Sequence, residues 1–156
     1  MRSVGIAISL LFLFSCSSYY GLSKRALRNY YISLETTPCF GRCPILKLEV
    51  NGNAQALLNA KRFTDSLGVF RMKLEPTQMR KLTKASALVD WKDLKNEYLS
   101  NYSDLPSRII RYSVKPGDTI VVRYEKGEAP KDLEDLGVLL YELTDRDHPW
   151  KRMDQL

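Results

Sequence analysis

Cys39 and Cys43 stand with three residues between them in the string Thr37-Pro38-Cys39-Phe40-Gly41-Arg42-Cys43-Pro44. Two thiols at that spacing can do three things. They can close a disulfide if the loop doubles back through Gly41. They can exchange electrons, which wants a low-pKa thiolate near a helix N-terminus. They can hold part of a metal site, which needs further ligands. An oxidising compartment favours the first, and closing so small a ring stabilises by about 2 kcal/mol in the chain-entropy account. A structural staple between two strands is the leading reading. Thiol–disulfide or metal chemistry at the same pair is the alternative.

The rest of the chain offers little reactive chemistry. His148 is the single histidine. It lies between Asp147 and Pro149 in a polar tail and is expected to be solvated. No Ser-His-Asp set, Gly-rich phosphate loop or dinucleotide fingerprint stands out. Glu125, Glu128, Asp132, Glu134 and Asp135 cluster where a helix should begin, and there they favour the helix dipole. Neither a catalytic residue, a cofactor nor a metal is assigned. The formal net charge is +6, but basic and acidic residues are interspersed and no nucleic-acid motif supports that class of partner. Lys24-Arg25-Ala26-Leu27-Arg28 is the densest basic stretch.

Periodicity supplies the elements that must position the cysteines. Alternation predicts strands over 30–36 and 45–50, on either side of the cysteine turn. Asn51-Gly52 predicts a tight hairpin with positive φ, leading to a strand over 53–60 whose inward face is small: Ala54, Ala56, Leu58 and Ala60. A fourth strand is expected over 69–74. Pro76 opens a helix to Val89, with Met79, Leu82, Ser86 and Val89 on one stripe. Residues 90–106 are irregular, with Trp91, Leu94, Tyr98 and Tyr102 as packing points. Strands over 107–114 and 119–124 flank Lys115-Pro116-Gly117-Asp118, which suits a type II turn. Pro130 opens a second helix with Leu133, Leu136, Leu140 and Leu143 inward. The order ββββαββα predicts an α+β domain: a mainly antiparallel sheet of about six strands with two amphipathic helices on one face.

The N-terminus places this domain. The apolar run Val4 to Phe14 follows Arg2 and is too short for a spanning helix, which needs about 20 residues, but has the length of a signal h-region. Leu13-Phe14-Ser15-Cys16-Ser17 resembles a bacterial lipobox. The resemblance implies removal of residues 1–15, lipidation of Cys16, and two or more acyl chains that hold the protein on a membrane. Residues 16–29 then form a lipidated polar tether, and 30–156 a single domain. Ser17 stands where enteric-type sorting would read Asp as an inner-membrane signal, which implies the periplasmic face of the outer membrane.

From Ile32 to about Leu143 the chain resembles an uncharacterised bacterial domain family often found in lipoproteins. Its cysteine turn matches at Thr36, Pro38, Cys39, Gly41, Cys43 and Pro44. Asp104 and Pro106 fit its Asp-x-Pro element, and Ala129-Pro130 its last helix start. The family brings no activity with it. The functional expectation is a membrane-anchored envelope lipoprotein, a non-enzymatic binding or structural module, with the membrane as partner through its lipid and an envelope protein as candidate second partner.

Overall fold

The computed structural model describes residues 22–102 and 104–153. The lipidation candidate Cys16 lies outside them. The elements run α1 (Lys24–Arg28), β1 (Tyr31–Thr36), β2 (Ile45–Asn51), β3 (Gln55–Arg62), β4 (Gly68–Lys73), α2 (Pro76–Leu88), β5 (Glu97–Tyr98), β6 (Ser107–Lys115), β7 (Asp118–Glu125), α3 (Lys131–Glu142) and β8 (Lys151–Arg152). The strands form one eight-stranded sheet in the order β5-β7-β6-β1-β2-β3-β4-β8.

The expected α+β class holds, with three corrections. The sheet has eight strands, because two-residue strands cap both edges. It is mixed, because β5 runs parallel to β7 through Glu97↔Arg123 and Tyr98↔Tyr124. A third helix, α1, occupies part of the segment expected to be a tether. Ser23 caps it by accepting a hydrogen bond from Ala26 N, and Leu22 and Leu27 pack against the core. No helix among the described residues is long and apolar enough to cross a membrane.

The helices cover one face of the sheet. Ile32, Leu34, Leu48, Val50, Ile110 and Val122 alternate inward from four strands and are essentially inaccessible. Above them lie the stripes of α2 (Met79, Leu82, Thr83, Ser86) and α3 (Leu133, Leu136, Gly137, Leu140), as the 3.6-residue period requires. Each of the buried Leu, Ile, Val and Met side chains contributes about 1.5–3 kcal/mol on leaving water. Gly137 lets α3 settle this close, because a Cβ there would collide with the Tyr124 hydroxyl at 1.7 Å.

The other face is open, as an antiparallel sheet permits. The register sets one row across it: Arg111, Ser33, Glu49, Leu57, Arg71, Lys151. Its middle is a polar lattice. Glu35 takes Arg111 at 3.0 Å and Lys61 at 3.8 Å, and Glu49 takes Lys47 at 2.9 Å and the Tyr31 hydroxyl at 2.7 Å.

The two ends of the strands differ. At one end, α1 and the β2–β3 hairpin meet. Gly52 is needed there for space: a Cβ would stand 1.7 Å from the Leu27 carbonyl oxygen. The positive φ expected at Asn51-Gly52 falls on Ala54 (φ 60°) instead, and the turn closes by Ala54 N donating to Asn51 O. At the other end sits the cysteine turn.

Candidate functional site: the cysteine turn and the cleft beside it

The turn between β1 and β2 is stitched by side chains that its own sequence supplies. The Thr36 hydroxyl donates to Pro44 O at 2.7 Å and accepts from Leu46 N at 3.0 Å, so one Thr joins the last residue of β1 to the start of β2. Thr37 pairs with Ser107 through both its backbone (3.0 Å) and its hydroxyl (2.8 Å). Within this frame the sulfurs of Cys39 and Cys43 lie at bonding distance, with Cα atoms 5.8 Å apart. Gly41 N donates to Cys39 Sγ at 3.2 Å. Gly41 itself is not in the left-handed region, and a Cβ there would meet only ordinary contact with Cys39 Sγ at 3.8 Å.

The structure brings the distant Asp104-Leu105-Pro106 element to this turn. Phe40 N donates to Asp104 O at 3.4 Å, and Asp104 adopts φ 81°, a conformation that Asp tolerates better than most residues. Pro106 is exposed and leads directly into β6. The tip is apolar: Phe40 is 91% exposed, and Leu105, which follows Asp104, is exposed as well.

Next to the turn, Phe63 in the β3–β4 loop holds φ 53°. For a bulky residue this is a true outlier, and such conformations concentrate at ligand clamps and switches. Arg62 and Arg42 lie over its ring at 4.5 and 5.7 Å. Behind it opens a cleft of about 420 Å³ walled by Pro44, Phe63, Phe70, Tyr141, His148 and Trp150. Its floor includes Ala60 and Leu58; the small inward residues of β3 leave room where α3 has already ended. Arg146 straps the mouth, donating to Ser66 Oγ at 2.9 Å and to the Asp65 carbonyl.

His148 departs from the expected solvated tail. It is half-buried, with Nε2 3.2 Å from Glu142 O and Nδ1 3.3 Å from the Gln78 amide. Facing a carbonyl, Nε2 carries the hydrogen and Nδ1 accepts from Gln78. Gln78 also forms a capping box with Glu75 at the start of α2, so one ring ties the start of α2 to the end of α3.

The acidic cluster does not converge on a cleft. Glu125 ends β7 and accepts from Ser100 N (2.9 Å) and the Ser100 hydroxyl (2.6 Å), which hold its carboxyl below the ordinary range. Glu134 accepts from Gly127 N at 2.7 Å, and Asp135 pairs with Lys131 at 2.7 Å. Asp132 and Glu134 sit in the first turn of α3, where the dipole favours them. Among the described residues no group of three or more His, Cys, Asp or Glu gathers to hold a metal, and the cysteines lie between two strands rather than at a helix N-terminus.

Sequence reasoning missed the cleft, the Arg146 strap and the strain at Phe63. Only the run of small residues on β3 hinted at the space. Residues 30–144 match the domain-of-unknown-function family DUF6438. No curated protein matches the chain. The chain belongs to the DUF6438 family.

Proposed function

We propose that this DUF6438 protein is an envelope lipoprotein, anchored by acyl chains on Cys16, whose single domain binds a partner through the cysteine-turn end. The observation that carries this reading is the placement of the two ends. α1, the first described element, docks where β1 begins, and the cysteine turn lies where β1 finishes. Six residues of strand separate them, or about 20 Å. Cys16 lies eight positions before Lys24, so an anchor there is closer along the chain to the α1 end than to the cysteine turn, and Phe40, the cleft and the Arg146 strap would face away from the bilayer. There the Cys39–Cys43 bond acts as a staple, holding an exposed aromatic tip in one shape at low ordering cost on binding.

The test is fractionation of cells carrying wild type or Cys16→Ser, with palmitate labelling. The wild type should label and sediment with outer membranes, and the variant should lose the label and leave the membrane or stall unprocessed. Label and membrane retention in the variant would end the anchor reading.

A further inference from the structure

The open face of the sheet carries a second, differently built site. Arg71 on β4 stands directly across from Lys151 on β8, and Lys73 follows two positions along β4 at the hairpin end, opposite Gln55. All three are exposed. None has an ion pair or hydrogen bond from its side chain among the described residues. Like charges directly opposite on neighbouring strands repel, and Glu49, the carboxylate among the residues lining the groove beside them, is already engaged by Lys47 and Tyr31. The cations border a groove of about 850 Å³ whose floor and walls include Leu57, Pro149 and Met153. Leu57 and Met153 are 37% and 41% exposed. The groove therefore pairs an unneutralised cationic rim with apolar surface, the complement of an anionic head joined to an acyl chain.

We propose that this groove binds an anionic phospholipid, its phosphate held by Arg71, Lys73 and Lys151 and its chain laid along Leu57 and Met153. Two further observations favour a lipid over an acidic peptide. A peptide would gain most by adding a strand, but from Val69 to Arg71 the β4 edge is already taken by β8 and by Met153 N donating to Val69 O, which leaves only Met72 and Lys73 of that edge beyond Arg71. The groove also reaches Asn51, Gln55 and Lys73, at the α1 end of the sheet. This last argument rests on the anchor reading above, which sets that end against the bilayer.

The test is native mass spectrometry of the full chain released from a non-ionic detergent, with phosphatidylglycerol or phosphatidylcholine of identical chains. Wild type should retain phosphatidylglycerol on the order of tenfold better, equivalent to about 1.4 kcal/mol. R71Q/K151Q should erase the preference, K84Q on the helix layer should keep it, and thermal melting should show R71Q/K151Q at least as stable as wild type. Equal retention of the two lipids, or a preference that survives R71Q/K151Q, would overturn the proposal. So would displacement of the lipid by a Glu-rich extended peptide, or a doubled mass that R71Q/K151Q abolishes. The same spectra weigh the acyl group on Cys16. A lipid preference without that mass retires the anchor and keeps the groove; the mass without a preference does the reverse.

Discussion

The two ends of the β-sheet are held by different means. At the hairpin end, packing does the holding. Tyr30 is buried with its hydroxyl 2.8 Å from Ser86 Oγ, its ring edge-on to Tyr112, and Trp91 stacks on Tyr112 at 4.2 Å while donating to Ser86 O. Burial pushes the Tyr30 hydroxyl far above its ordinary pKa. At the cysteine end Leu46, Ala60 and Tyr124 are buried beneath the sheet's end, but no residue of the turn itself, 37 to 44, is buried. A cysteine pair at bonding distance, two threonine hydroxyls and the Glu125 carboxylate hold the chain there while Phe40 faces water. The packed hairpin end tolerates no added volume, whereas the exposed cysteine turn tolerates side-chain change but depends on its link.

Substitutions can break or sharpen that contrast. The largest effect is expected between the ends, where Leu136→Ala should cost about 2–5 kcal/mol in chemical denaturation, as for any fully buried leucine; a smaller loss would mean that the shared core is looser than its burial implies. At the hairpin end, Gly52→Ala should cost about 1–3 kcal/mol by overpacking, because the obstacle is the Leu27 backbone rather than a flexible side chain. A neutral Gly52→Ala would show that α1 is not docked.

At the cysteine end the expected signature is a pH dependence. Glu125 has a folded-state pKa below its unfolded value, because the Ser100 hydroxyl and backbone N–H hydrogen-bond the carboxylate. Its contribution is present above the unfolded carboxyl pKa and is lost as pH falls through the folded one. Ser100→Ala should remove part of the decline in melting temperature under acid; an identical acid profile would take Glu125 out of the account. The smallest effect is expected at Gly41→Ala, within about 0.5 kcal/mol of wild type, since neither φ nor space demands glycine there. A large loss would mean that the turn is more tightly shaped than its hydrogen bonds suggest.

Much of this architecture was legible from periodicity. The six longer strands, both long helices and their inward residues follow from alternation and the 3.6 period, and Gly117 (φ 75°) takes the type II position beside Pro116. The remainder depends on contacts between distant segments. β5 and β8 are two residues each, too short for any period to register, and the parallel pairing of β5 with β7 follows from where residues 90–106 travel. Gly52 looked like a turn glycine but answers to Leu27, and His148 looked solvated but ties α2 to α3. Thr36 to Pro44 was visible as a motif; that Asp104 would supply a carbonyl to Phe40 was not, because more than sixty residues separate them.

The central claim is that the Cys39–Cys43 link is a staple on a domain whose core lies elsewhere. Denaturant unfolding of the full chain in a non-ionic detergent, with and without a strong thiol reductant, tests it most directly beside the double variant Cys39→Ala/Cys43→Ala. The account predicts that reduction lowers stability by about 2 kcal/mol, leaves the cooperative slope unchanged, and brings wild type onto the curve of the double variant. A midpoint that ignores reduction, or a domain that loses its cooperative transition once the link is cut, would contradict it.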